Sequence, residues 1–430
     1  MLLQFTLGNF YSIKDPVTLN MLAVKPIKEF EASNVFEADR YRLLTSAIIY
    51  GANASGKSYF LKGMDFIKWF IINSSKETQK DERINIERFR LSPSTKKKPS
   101  FFEISILIDN TKYRYGFEVD RNNVREEWLF YSRKIKEYPL FIRDIEGIEV
   151  FTDFPEGNGL EERTRNNALF LSVAAQFNGL IAGKIIDWFH SFYVISGLED
   201  IRYQNFTVKK LRDPGFKSIL IKFLNAADLS IKDIQVKEID IKETPFHKNI
   251  PVELRNLILK SSKEAYTIIT YHEILNEKGE VIGTEAFDFE SSQSEGTKKY
   301  FRLAGPVIDT LQKGEILIID ELDARLHPIM TKWIVKFFNS KVTNPKNAQF
   351  VFATHDTNLL SACTFRRDQI WFTEKTKQNA TALYSLAEYK LPKGKVRKDA
   401  SIEKDYMKGK YGAIPFIGDF VSPITEIWQE

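Results

Sequence analysis

SAIIYGANASGKSYFLKGM, residues 46–64, is the stretch that decides the fold. An apolar run from Ala47 to Tyr50 enters Gly51-Ala-Asn-Ala-Ser-Gly-Lys-Ser58, and helical spacing follows. The pattern G-x-x-x-x-G-K-[ST] is complete, and it stands in the strand–loop–helix setting that gives it meaning. Gly51 and Gly56 let the backbone wrap. The amides of Asn53, Ala54 and Ser55 then face inward, and the positive end of the next helix, from Lys57 through Tyr59, adds to them. Together they suit a β-phosphate. Lys57 is placed to reach the β- and γ-phosphates, and the Ser58 hydroxyl to ligate Mg²⁺. A plain glycine turn ahead of a buried helix needs neither the lysine nor the hydroxyl.

Working outward, EILIIDELDARLHP, residues 315–328, sets Ile316 to Ile319 directly before Asp320 and Glu321. A run apolar on both faces suits a central parallel strand. Carboxylates at its C-terminal end lie on the edge where such sheets take ligands. Asp320 would hold Mg²⁺ through water, and Glu321 would act as general base on the attacking water. AQFVFATHDTNLL, residues 348–360, is a further strand ending at Thr354-His355-Asp356. A neutral His355 imidazole could contact a γ-phosphate and sense its loss.

The cluster SSQSEGTKKYFRLAG, residues 291–305, gathers small polar residues just ahead of a helical pattern. Ser294 reads as an N-cap, which by itself explains the composition. The same geometry also presents backbone amides and a helix dipole to an anion.

The bulk numbers bound the class. A chain of 430 residues with 43% hydrophobic content can bury a large core, as two lobes or a domain with an insert. The net charge of +5 permits a polyanionic partner without requiring one. A lone cysteine, Cys363, allows no internal disulfide and fits a reducing cytoplasm. No export signal is legible, and runs such as FIKWFII, residues 66–72, fall short of a membrane span. A cytoplasmic protein without a membrane partner is expected. FFEISILIDNTKYRYGFEVD, residues 101–120, predicts a hairpin turning at Asp109-Asn110. NALFLSVAAQFNGLIAGKIIDWFHSF, residues 167–192, has helical spacing. Asp213 and Pro214 open a helix with an apolar stripe of Phe216, Ile219, Leu220, Phe223 and Leu224. The expected layout is an α/β head with its N-terminal lobe and P-loop in 1–202, a compact helical or α+β insert in 203–285, and a C-terminal lobe in 286–430. No long coiled coil is present.

These pieces, with NFYSIKDPVTLNML near the start and SIEKDYMKGKYGAIPF near the end, resemble ABC-type ATPase heads of the structural-maintenance and RecF branch. More narrowly they resemble the AAA_15/AAA_21 group, RloA-like proteins linked to abortive infection and anti-phage defence. The resemblance implies a P-loop head with a two-lobed mixed sheet and flanking helices, with ATP and Mg²⁺ as cofactors. It implies that Gln293-Ser294-Glu295-Gly296-Thr297 is the signature that binds the γ-phosphate held by an opposite copy. Ser294, Gly296 and Thr297 would then complete a neighbour's site, and Asp323 would lie in the D-loop at the interface between copies. ATP sandwiched between two copies implies a homodimer, with higher oligomers open. The resemblance also implies a separately encoded effector as partner; no nuclease-like acidic cluster follows His355, so if the effector activity is a nuclease, another polypeptide supplies it. A RecF-like DNA-repair accessory ATPase is the alternative reading.

The resemblance is not complete. Related heads often carry a basic residue where Tyr11 stands. No obvious glutamine marks the metal-sensing loop, for which RFRLSP, residues 88–93, and Arg90 are the positional candidates. Lys96–Lys98 reads as a solvated loop, with contact to DNA phosphates as the alternative. The stretch 390–410, basic and interleaved with Tyr406 and the flanking Tyr389 and Tyr411, suits nucleic acid or an acidic protein partner, or equally a plain surface helix.

Overall fold

Two kinds of strand pattern alternate along this chain, and they sort into its two larger sheets, beside a three-stranded sheet of Asp233–Ile239, Ala265–Leu275 and Val281–Asp288 and smaller pairs. The computed structural model describes residues 1–77, 79–198, 201–239, 265–361, 364–391, 394–395 and 401–414. Cys363, part of the expected insert and part of the basic 390–410 stretch lie outside the described residues. In chain order, the first half runs β1 (Leu2–Gly8), β2 (Val17–Asn20), α1 (Glu31–Asn34), β3 (Val35–Ala38), β4 (Tyr41–Leu44), β5 (Ser46–Gly51), α2 (Lys57–Asn73), β6 (Ser100–Ile108), β7 (Thr111–Val119), β8 (Val124–Ser132), β9 (Tyr138–Arg143) and β10 (Ile148–Val150). Then come α3 (Phe170–Gln176), α4 (Leu180–His190), β11 (Phe192–Ser196), α5 (Ile201–Lys210), α6 (Pro214–Asn225), β12 (Asp233–Ile239), β13 (Ala265–Leu275) and β14 (Val281–Asp288). The rest is α7 (Phe289–Ser292), α8 (Glu295–Lys313), β15 (Ile316–Asp320), α9 (Pro328–Phe338), β16 (Gln349–Ala353), α10 (Asn358–Ser361), β17 (Ile370–Lys375), β18 (Thr381–Ser385) and α11 (Ile402–Met407).

The chain divides into two compact units, one of residues 1–197, 313–323 and 332–430, the other of residues 198–312 and 324–331. In the first, β10-β9-β8-β7-β6-β1-β2 form an antiparallel sheet. The β6–β7 turn falls at Asp109-Asn110, both with positive φ (47° and 58°), the mirror-type turn that matches strand twist. The second sheet has the order β11-β15-β16-β5-β17-β18 and is parallel up to the antiparallel β17–β18 edge. Its central strands are buried along their length, which is why their sequences read as unbroken apolar runs.

Helix α2 buries Phe60, Leu61, Met64, Ile67, Phe70 and Ile71, and these share one core with residues of both sheets. Phe60 meets Phe5 of β1 edge-on at 5.5 Å, and Phe70 meets Phe117 of β7 likewise at 5.5 Å. Such rings contribute about 0.5–1.5 kcal/mol each beyond their buried area. The helix that begins at the P-loop is thus fixed by the core.

The long helical pattern over 167–192 is two helices. Asn178 takes φ 64°, and Gly179 follows before α4 begins. In the second unit Asp213 caps α6 by accepting from the Gly215 amide at 2.9 Å, with Pro214 at the first helical position. Its stripe buries Phe216, Leu220, Phe223 and Leu224, while Ile219 is 41% exposed and belongs to the outer face. Phe223 stacks on Tyr300 of α8. Among the described residues no helix is long and apolar enough to cross a membrane.

Candidate active site

β5 ends in Gly51 at the carboxyl edge of its sheet, between β16 and β17. There Thr373 of β17 crowds Gly51 so closely that a Cβ would lie 2.3 Å from its hydroxyl. Gly56 has φ 107°, and a Cβ on it would sit 2.0 Å from the Thr381 hydroxyl of β18. Only glycine fits these two points. Ala54, at φ 62°, completes the tight wrap. α2 starts with no side chain capping it, so its first amides remain donors for an anion.

The loop is braced from β17 and β18. Ser55 Oγ and Thr373 Oγ1 share a hydrogen bond of 2.6 Å, and Thr381 Oγ1 donates to the Ser55 carbonyl at 2.8 Å. Ser12 joins from the N-terminal segment, its hydroxyl 2.8 Å from Thr381 Oγ1. Sequence reading missed Ser12, Thr373 and Thr381. No motif marks them, because the contacts span more than 300 positions and depend on strand order.

Lys57 is buried, and Nζ donates to the carbonyls of Gly51 (2.7 Å) and Ala52 (3.1 Å). Burial lowers its pKa, and the carboxylates of Asp320, Glu321 and Asp323 oppose that shift. The ammonium is therefore held by polar contacts that an incoming phosphate can replace. At the end of β15, burial raises the Asp320 carboxyl above its ordinary value, while a hydrogen bond with Ser58 and the Lys57 charge pull it back. Asp320 Oδ1 is buried without a hydrogen-bond partner. An orphaned carboxylate oxygen beside a hydroxyl is the donor set a hard cation takes, so these residues fit Mg²⁺.

Glu321 adopts φ 50°, a costly conformation for a non-glycine residue at a strand end. Gly197 makes room for it. Its amide donates to the Asp320 carbonyl at 2.7 Å, and a Cβ there would lie 2.3 Å from the Glu321 carbonyl oxygen. Gly197 is a further residue the sequence did not flag. His355 follows β16, and its backbone amide donates to both Asp323 oxygens (3.2 and 3.3 Å). Burial and the nearby Lys57 lower the His355 pKa, partly opposed by Asp323, Glu321 and Asp320, which favours the neutral imidazole. Asp323 thus ties the strand that carries Asp320 to the strand that carries His355.

One cavity of about 850 Å³ is lined by Asn53 through Tyr59, Glu321 and His355, and it extends to Tyr11, Ser12, Arg88, Arg90, Lys375 and Asn379. That is ample for a nucleotide-sized ligand. Arg90 lines it but pairs with Glu87 at 2.5 Å on a largely exposed side chain. Tyr11, where related heads often carry a cation, has the Lys62 ammonium of α2 4.6 Å from its ring centre.

Ser294, Gly296 and Thr297 belong to the second unit and are not among the lining residues. Ser294 caps α8. Its Oγ accepts from the Thr297 amide (3.2 Å) and contacts the Thr297 hydroxyl (2.9 Å). Gly296 lies against the Arg325 carbonyl, 3.1 Å from where a Cβ would be. Lys299, one turn on and fully buried, donates to the Ala324 carbonyl, so the helix start and the segment after Asp323 are joined. Of the tyrosines in and beside the basic stretch, Tyr406 and Tyr411 are buried, packing on Phe372, so their rings are closed to base stacking.

The family described as "AAA domain, putative AbiEii toxin, Type IV TA system" matches residues 46–361, from the start of β5 to the end of α10. The chain belongs to this AAA_21 family. No curated protein matches it.

Proposed function

We propose that this member of the AAA_21 family is a Mg²⁺-dependent ATPase with an ABC-type head, hydrolysing ATP at an interface between two copies of the chain. The observation that carries the reading is the meeting of Lys57, the loop amides, Glu321 and His355 in one cavity, with Asp320 hydrogen-bonded to Ser58 beneath it. The P-loop amides and Lys57 receive the β- and γ-phosphates. Ser58 and Asp320 would hold Mg²⁺, which when bound neutralises charge on the phosphate oxygens. Glu321 takes a proton from the water whose oxygen attacks the γ-phosphorus, and ADP departs with the electron pair of the broken P–O bond. Neutral His355 donates a hydrogen bond to the γ-phosphoryl group and holds it in line. Ser294, Gly296 and Thr297 of a second copy present the start of α8, with its positive dipole end, to that same group, and Asp323 lies at the same junction.

The protein serves as the sensor or regulatory component of an abortive-infection-type defence system and acts on a separate effector. The family description, with its toxin and type IV toxin–antitoxin wording, supports that context. Glu321→Gln should keep Mg-ATP binding and lose hydrolysis by about 10²–10⁴-fold, the usual contribution of a positioned general base. It should also elute as a dimer with ATP. A Glu321→Gln protein that hydrolyses ATP at the parent rate would overturn the assignment.

A further inference from the structure

His355 stands just beyond the end of β16, outside any regular element, so its aim depends on how the backbone on either side is held. On one side its own amide donates to Asp323. On the other, the carbonyl of Asp356, the next residue, accepts from Tyr50 Oη at 2.9 Å. Tyr50 precedes Gly51 in β5 and is completely buried. The turn it holds is closed locally as well. The Asp356 amide donates to Thr354 Oγ1 at 3.0 Å, and its carboxylate accepts from the Asn358 amide (3.0 Å) and side chain (2.7 Å). A single strand thus ends in the phosphate loop and, through Tyr50, reaches the backbone beside His355.

A buried phenol needs some acceptor. What points beyond that need is the choice of acceptor and the packing behind the ring. Tyr406 of α11 lies against Tyr50, ring centres 5.6 Å apart, and stacks on Phe372 of β17 at 5.4 Å. The segment around it is fastened in turn. Tyr406 Oη donates to the Ala413 carbonyl (3.1 Å), Tyr411 Oη to Asp405 (3.3 Å), and Tyr384 Oη of β18 to the Tyr411 carbonyl (2.6 Å). α11 also packs on α10, the helix that follows the His355 turn. The turn is therefore gripped by β5 through Tyr50 and by α11 through α10.

We infer that Tyr50 is a positioning residue for His355, aiming the imidazole at the γ-phosphoryl group, with α11 as the brace behind it. This rests on the catalytic role proposed for His355. Tyr50 is not among the residues lining the cavity, so it acts only through its neighbour. Without its hydroxyl the Asp356 carbonyl is released, and the His355 backbone keeps its Asp323 tether alone. A misplacement on the order of 1 Å costs about 10²-fold in rate.

Hydrolysis kinetics and Mg-ATP calorimetry on the full chain test the inference as a double-mutant cycle. Tyr50→Phe keeps the ring and its packing. It should lower kcat about 10–100-fold, while the Kd for Mg-ATP stays within about two-fold of the parent. In a His355→Ala background the same substitution should change kcat by less than about two-fold, since no imidazole is left to aim. Tyr406→Leu, which loosens the brace, should show the same dependence on His355, and a parent-like kcat in that variant overturns the brace. Equal losses from Tyr50→Phe with and without His355 would make the bond merely structural and overturn the inference, as would a parent-like kcat in Tyr50→Phe. If His355→Ala itself hydrolyses ATP at the parent rate, the role proposed for His355 falls, and the positioning role with it.

Discussion

Asp320 carries its charge against its surroundings. Burial raises its pKa, one oxygen lacks a partner, and Ser58 and Lys57 compensate only in part. The sign follows from linkage. A carboxyl with a raised pKa in the folded state binds its proton more tightly there than in the unfolded chain. At neutral pH its ionisation therefore costs stability, and the cost fades as pH falls through the raised value. Asp320→Asn should stabilise the metal-free protein at pH 7 by about 1–3 kcal/mol, the range for a buried polar group without its partner. The gain should vanish toward acidic pH. The same variant should lose Mg²⁺-dependent hydrolysis. Thermal melts from pH 7 downward, without metal, check the first part; a lower melting temperature at pH 7 would contradict it. Strain at Glu321 and crowding at Gly51, Gly56 and Gly197 belong to the same account, in which stability is given up to aim polar groups at one point.

At the scale of elements, the start of α8 is a helix cap to which a second, binding role is proposed. Ser294 satisfies the Thr297 amide, an ordinary N-cap, while the dipole it terminates remains positive. Serine and aspartate cap about equally well, so Ser294→Asp keeps the helix within about 0.5 kcal/mol of the parent. It also places a fixed negative charge where the proposed γ-phosphate must approach. Hydrolysis should fall by about 10³-fold or more, in line with what trans-acting charge contributes to phosphoryl transfer. Activity within about ten-fold of the parent, with an unchanged melting temperature, would contradict the proposed role.

What could be read from sequence follows the same division. The P-loop, the Asp320–Glu321 strand and the Asp213 cap are legible because each is local, written in neighbouring residues. The hairpin at Asp109-Asn110 is legible for the same reason. Ser12, Thr373, Thr381 and Gly197 are not, since their importance comes from which strands lie side by side. Tyr406 and Tyr411 sit in and beside a basic stretch that suggests an exposed binding face, yet tertiary packing buries both beside Phe372. The break at Asn178-Gly179 is hidden by an apolar spacing that runs across it.

For the whole molecule, the consequence is that the groups proposed to bind phosphate occur in two compact units. Lys57, Glu321 and His355 belong to one, and Ser294 and Gly296 to the other. The chain passes between the units directly after Asp323, at the segment whose Ala324 carbonyl is held by Lys299. In the proposed dimer each copy contributes both kinds of group to different active centres, so occupancy by ATP and association of copies become one equilibrium. A regulatory protein can use such coupling, because hydrolysis then releases the partner.

Mixing two inactive variants measures this most directly. Lys57→Ala cannot hold its own triphosphate, and Ser294→Asp cannot complete a neighbour's. Mixed pairs should contain one intact centre and recover hydrolysis in proportion to the fraction of mixed dimers. No recovery, with mixed dimers shown to form, would contradict a centre divided between two copies.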